Sequence, residues 1–244
     1  MSKVFFARIA GLLLLGLTLV ATAKDSSPTE RVYTTLWQIS LDAEGRVVEL
    51  VPNFELTPGI TEALKQAIST WQFEPGAVNG KPQPTQSWLS VRVGFGISAR
   101  KIVSLRILDV DAGGHMEFDR SNIPKYPSSM LRRREQGMAV VKVEYDGDGK
   151  ITQAALAEYA PAIHPTLAGA AIDAVLRWKV TPERVAGHGV AGAMIVPFCF
   201  TLGDSKPGWC KFTPPDRAGS AETDRPINLA AVTKLKTSVV GQVL

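Results

Sequence analysis

The chain has 244 residues, of which 45% are hydrophobic, 20% charged and 7% aromatic. That is globular composition with apolar content for one large core or two small ones, and it excludes a disordered, collagenous or disulfide-dense chain. Lys and Arg number 27 against 23 Asp and Glu, a net charge of +4; two of these cations, Lys3 and Arg8, sit in the extreme N-terminus, and the remaining charge of about +2 is too small to imply a nucleic-acid partner.

In chain order, the first 23 residues read as an address. Lys3 and Arg8 form a positive region, Ile9 to Val20 is an apolar run, and Ala21-Thr22-Ala23 is a small-x-small site, so cleavage is expected after Ala23. The run is short for a membrane span, which needs about 20 apolar residues; an uncleaved inner-membrane anchor is the alternative. A lipid anchor is not expected, because no Cys precedes Cys199. Only Lys24 to Glu30 then separates this segment from the first folded unit, a reach of at most about 25 Å when extended.

From Trp37 the pattern alternates through Ile39 and Leu41, turns at Asp42-Ala-Glu-Gly45 and resumes at Val47, which reads as a β-hairpin. Thr57-Pro58 then opens a helix, with Ile60, Leu64, Ile68 and Trp71 on one face and Pro at the first helical position. The helix closes in Trp71-Gln-Phe73-Glu-Pro75, with Gly80 in the turn beyond, and Trp88 to Phe95 alternates as a third strand. Lys101 to Val110 is expected to add a fourth strand to this unit, and residues 111–122, with Gly113-Gly114, a polar linker.

The same order recurs. Val141 to Tyr145, the Asp146-Gly-Asp-Gly149 turn and Ile151 repeat the hairpin; His164-Pro165 opens a helix whose face holds Leu167, Ala171 and Val175; Trp178-Lys-Val180-Thr-Pro182 closes it, with Gly187 beyond. Ala193 to Phe200 is the matching third strand. The expected class is therefore α+β, two tandem β-β-α-β units, each a small antiparallel sheet with one packed helix, over residues 31–110 and 123–212. Cys199 and Cys210 are the two cysteines of the chain, and Pro207-Gly208 between them lets the chain double back, so in an oxidising compartment they are expected to pair. Residues 213–244 read as a flexible tail, although Leu229 to Leu244 is apolar enough to dock.

Two local patterns are decoys. Gly76-Ala-Val-Asn-Gly80-Lys81-Pro82 follows a helix, where a phosphate loop must precede one, and Asp146 to Ala157 lacks the oxygen ligands of a calcium loop at Lys150 and Ala157, so both read as turns. His115, His164 and His188 share no acidic neighbour, and neither Gly-x-Ser-x-Gly nor His-Glu-x-x-His occurs. No enzyme, no cofactor and no metal site is expected.

The second unit resembles the TonB C-terminal domain. The resemblance rests on Ile123-Pro-Lys-Tyr126-Pro127, the basic turn Leu131-Arg132-Arg133-Arg134-Glu135, Gly137 starting the strand, the Asp146 to Gly149 turn, the Ala170-Ala171 helix and the Trp178 to Pro182 close, over residues 123–202; residues 33–96 look like a degenerate copy without the Tyr-Pro element. The resemblance implies a non-catalytic periplasmic binding module of the cell envelope that takes an extended peptide, such as one from a TonB-dependent outer-membrane receptor, at its sheet edge by β-augmentation. The candidate contact residues are Tyr126, Pro127, Arg132, Arg133, Arg134 and, on the third strand, Met194, Val196 and Phe198. The long Pro-rich spacer of the family's energy transducers is missing, and a Trp209 to Phe212 return strand is expected to cover the edge of the third strand. A membrane-anchored transducer and a glycan-binding envelope protein using Arg132 to Arg134 are the alternatives.

Overall fold

The computed structural model describes residues 31–53, 57–97, 103–118, 120–203, 210–212 and 225–244. The expected export segment with Ala23, and residues 213–224 of the expected tail, lie outside the described residues.

The first half runs β1 (Arg31–Leu41), β2 (Val47–Pro52), α1 (Pro58–Ser69), β3 (Phe73–Glu74), the hairpin β4 (Ala77–Val78) and β5 (Lys81–Pro82), then β6 (Thr85–Ile97) and β7 (Val103–Gly113). The second runs β8 (His115–Glu117), a 3-10 turn (Arg120–Asn122), α2 (Ser128–Arg132), β9 (Gly137–Tyr145), β10 (Ile151–Leu156), α3 (Pro165–Val175), β11 (Lys179–Thr181), β12 (Arg184–Val185), β13 (His188–Gly189) and β14 (Gly192–Phe200). Two short strands come last, β15 (Ile227–Asn228) and β16 (Lys234–Leu235). The class is α+β with small antiparallel sheets and few helices.

The hairpin turns form for a local reason. Asp42 Oδ1 accepts from the Glu44 and Arg46 amides at 3.0 and 2.9 Å, and Asp146 Oδ1 does the same for Asp148 and Lys150 at 3.0 and 2.9 Å; a short carboxylate folded onto the backbone two residues on is what makes Asp a turn residue. Each turn ends on a glycine at φ +80°, Gly45 or Gly149, whose carbonyl accepts from the strand after the helix: Phe73 N and Val180 N donate at 2.9 Å. A β-carbon on Gly149 would lie 1.8 Å from Val180 O, so glycine is required both for the backbone and for the approach.

In the first sheet the order is β13-β12-β6-β1-β2, with β7 also on β6; in the second it is β10-β9-β14-β15. The pairing of β6 with β7 matches the fourth strand expected from residues 101–110. α1 seats Leu64 and Ile68, with Trp71, against Trp37, Ile39, Leu89 and Val91. α3 seats Leu167, Ala171 and Val175, with Trp178, against Val141, Val143, Met194 and Val196. Both tryptophans are core residues, and Trp178 Nε1 donates to Asn122 O at 3.0 Å.

Two expectations are corrected. Residues 111–122 are not a linker: Asp111 to Gly113 end β7, and His115 to Glu117 pair with β11. Gly113 and Gly114 serve packing rather than flexibility, since β-carbons there would meet Asn228 Cγ at 2.3 Å and the Tyr145 hydroxyl at 2.5 Å. The chain from Arg225 to Leu244 is not a tail. It pairs with β14 and β3, buries Val239 in the first core, and exchanges backbone bonds with β7 through Ile107, Gly241 and Gln242. The described strand beside β14 is β15, and the expected return strand begins at Trp209, outside the described residues. The disulfide between Cys199 and Cys210 is present, with Cα atoms 5.6 Å apart. No helix among the described residues is long and apolar enough to cross a membrane.

Gly149 and Gly187 share a positive φ, of 80° and 81°, but nothing lies within 4 Å of a β-carbon on Gly187. Gly187→Ala therefore costs the backbone penalty alone, about 1 to 2 kcal/mol, and Gly149→Ala costs clearly more. Urea unfolding of the two variants reads the difference, and equal losses would mean that the Val180 contact does not constrain the turn.

Candidate partner-binding surface

β14 sits in the middle of its half, and its backbone decides what can be offered to a partner. It pairs with β9 through all nine residues, Gly192 to Phe200. Residues of one parity bond to β9; those of the other parity turn their amides and carbonyls to the far side. Ala193 O, which accepts from Leu229 N at 2.9 Å, identifies the outward set as 193, 195, 197 and 199. Pro197 belongs to it, and a proline in a strand paired on one side must place its donor-free nitrogen on the other.

This settles the position of the predicted third-strand residues. Met194 and Val196 are each 1% exposed, face α3 in the core and turn their backbone toward β9, so neither side chain nor main chain meets the surface there. They are corrected to core residues. The alternation is present as expected, but the apolar stripe on β14 is the inner face. Phe198 is also buried, yet it lines an adjoining trough.

That trough, about 350 Å³, lies beside Pro197 to Thr201 and is walled by Phe118, Ile123, Pro124, Tyr126 and Trp178. Its rings touch in sequence: Phe118 to Trp178 at 5.3 Å, Trp178 to Phe198 at 5.3 Å, and Tyr126 to Phe200 edge-on at 5.6 Å. Phe118 and Ile123 remain 58% and 57% exposed, so the trough has an open apolar lip. Tyr126 donates its hydroxyl to Glu135 O and thereby holds the turn after α2. Arg132, Arg133 and Arg134 stand exposed around the end of α2, with Arg134 at φ +52°. Pro127 is the N-cap of α2 and half-buried. Phe118, Trp178 and Pro197 line this candidate surface without standing among the residues expected from the sequence; a proline inside an alternating strand is the available signal for an edge.

Between the two halves lies a second, polar junction. Glu183, 3% exposed, accepts from Ser87 Oγ at 2.8 Å, Val232 N at 2.7 Å and Thr233 N at 3.1 Å, joining β6, the turn before β12 and the C-terminal segment. A bulge after Arg92 on the β6–β7 ladder keeps Val110 and Ala112 toward α1 and turns Asp109 and Asp111 to the opposite face. There Asp111 Oδ2 accepts from Asn228 N and Nδ2 at 3.1 and 2.8 Å, while Arg225 meets Ser90 Oγ at 2.8 Å and Asp109 at 3.6 Å. Beside them is a cleft of about 230 Å³, where Trp88 and His115 approach to 4.9 Å. Burial pushes the His115 imidazole down against the pull of Glu117. Among the described residues no group of three metal-ligating side chains occurs.

Residues 122–202 match the family described as Gram-negative bacterial TonB protein C-terminal. Two curated relatives, each named Protein TonB, come from Xanthomonas campestris pv. campestris, strains B100 and ATCC 33913; each is 31% identical over 94 residues, which is 38% of this chain and 41% of the relative. The chain thus spans less than half the length of the relatives it matches. No solved structure matches.

Tyr145 lies under this junction. Burial first, then Glu183 and Asp111, push its phenol up to about 12, while the Gly114 amide pulls the other way. Unfolded, it titrates near 10. The folded state therefore keeps a proton that the unfolded state loses, so stability is complete below about pH 10 and falls between about pH 10 and 12. Urea unfolding across that range shows the decline, and Tyr145→Phe reduces it; an unchanged slope in that variant would place the alkaline loss elsewhere.

Proposed function

We propose, from the match of residues 122–202 to the TonB C-terminal domain family, that the chain is a non-catalytic, periplasmic protein-binding module of the cell envelope, associated with TonB-dependent outer-membrane transport. The observation that carries the reading is the aromatic trough beside Pro197 to Thr201, where an extended peptide can lay apolar side chains on Phe118, Tyr126 and Phe198. Rings rigid enough to lose little entropy on contact, beside a strand edge with outward backbone groups, suit an extended ligand.

The proposal includes a duplicated unit. Residues 31–110 are read as a degenerate copy of residues 123–212, on the support of the paired Asp turns, Gly45 and Gly149 at the same φ, and Phe73 and Val180 bonding back to them. In place of a tail, Arg225 to Leu244 serves both units. The arginines at the end of α2 are proposed as a rim that orients the partner.

Two measurements test this. Titration with a synthetic peptide of the periplasmic N-terminal segment of an outer-membrane receptor from the same cell should show binding that Phe118→Ala weakens by about tenfold, or about 1.4 kcal/mol. Phe118 is exposed enough that its loss leaves the core intact; equal binding by the variant removes the trough as the site. Intact mass of the protein from separated periplasmic and membrane fractions should begin at Lys24 in the soluble fraction. A full-length mass in the membrane would replace the free module with an anchored transducer.

A further inference from the structure

The edge of β14 already holds a strand, and that strand is the chain's own. Ile227 pairs with Ile195, Asn228 with Met194, and Leu229 N donates to Ala193 O at 2.9 Å. We propose that β15 is a resident pseudo-ligand, that partner peptides enter by exchanging with Arg225 to Leu229, and that this segment spells the partner selected: a cation, then, two residues on, an aliphatic residue, an amide side chain and a second aliphatic residue. The proposal rests on the peptide-binding reading of β14 and specifies its partner.

Three features make the strap exchangeable rather than a permanent sheet strand. Its ladder is short because the next bonded rung after Ala193–Leu229 and Ile195–Ile227 would be Pro197 with Arg225, and Pro197 has no N–H to give. Its fit is incomplete: Asn228 Nδ2 donates to Asp111, but Asn228 Oδ1 is buried with no hydrogen-bond partner. An acceptor left dry favours an incoming strand that satisfies the site better. Finally, the chain beyond the strap is anchored by contacts of its own. Val232 and Thr233 donate to Glu183, Lys234 and Leu235 pair with β3, and Leu244 N bonds to Leu105 O. Residues 225–229 can lift off while the C-terminus stays in place.

The selectivity comes from the groups that each strap residue meets. Ile227, 5% exposed, fills an apolar socket with Met138, Val140 and Ile195. Asn228 reads Asp111 with both backbone and side chain, and Arg225 reads Asp109 and Ser90. The bulge in β7 turns both carboxylates to the face that carries the strap, where Asp111 meets Asn228 and Asp109, across the ladder from Arg92, meets Arg225. Pro226 lies opposite Val196 in this register, where its ring nitrogen faces away from β14, so the strap also ends the sheet instead of offering a new edge.

The probe is a fluorescein-labelled peptide of residues 224–230, Asp-Arg-Pro-Ile-Asn-Leu-Ala, titrated by anisotropy into the full chain. Ile227→Asp in the chain should release the strap and tighten peptide binding at least tenfold over wild type, and the same change in the peptide should abolish binding. Equal affinity of wild-type and variant chains, or binding of the Ile→Asp peptide, overturns the proposal. Should that variant fold poorly, hydrogen exchange on the wild-type chain decides: excess peptide should speed exchange of the Leu229 amide while Thr233 stays protected, and an unchanged Leu229 overturns exchange. The receptor peptide separates this from the binding reading. If it binds while Leu229 stays protected, exchange is wrong and the binding reading stands; if the strap peptide exchanges and no receptor peptide binds, exchange stands and the receptor assignment fails.

Discussion

A small antiparallel sheet with a helix on one face is left with a row of unpaired amides and carbonyls along each edge and a bare second face. In this chain one edge of each sheet, and part of the second face, are covered by segments from elsewhere in the sequence, while β2 and β10 end the sheets on the other side. The first sheet receives β12 and β13 from the second half along β6, and the second sheet receives β15 from the C-terminus along β14. On the second face of the second sheet, Met138, Val140 and Ile195 are covered by Ile227 and Phe212. The two halves are thus joined by main-chain hydrogen bonds at their edges as well as by side-chain packing.

The polar junction is a consequence of that interlock. Where three segments cross, backbone donors such as Val232 N and Thr233 N have no strand to pair with, and one buried carboxylate, Glu183, accepts from both and from Ser87. A charge taken out of water is tolerable when its oxygens are met by several donors, and costly when one partner is removed. Tyr145 beneath it stays protonated far into the alkaline range for the complementary reason: a phenolate would be desolvated and repelled by Glu183 and Asp111. Tyr145 is therefore neutral over ordinary pH.

Function, in this reading, is a question of edges. A TonB-like half with an open β14 would accept any compatible extended peptide through its backbone. Pro197, β15 and the Cys199–Cys210 disulfide restrict that edge to a short window, leaving the aromatic trough and the strap register as the places where side chains decide affinity. Restricting backbone pairing trades general stickiness for selectivity, as edge strands of soluble proteins commonly do.

What the sequence by itself determined is local. The Asp-x-x-Gly turns, the helix faces, the tryptophans closing each helix, the fourth strand on β6 and the cysteine pairing were all readable, because each depends on residues within one turn or one periodic stretch, or on there being two cysteines to pair. Tertiary structure alone decided which strands meet. Alternation marks the two faces of β14 but not which faces the core, so Met194 and Val196, expected on the partner side, belong beneath α3. The trough draws Phe118, Tyr126, Trp178 and Phe198 from four separate segments, and no spacing rule connects them. Arg225 to Leu244 has tail-like composition through its first residues, yet it is ordered, because backbone hydrogen bonds to β14, β3 and β7 are available to almost any sequence brought alongside. Main-chain pairing carries little sequence signature, and for that reason the edges, where this protein's selectivity is proposed to lie, became visible only in the fold.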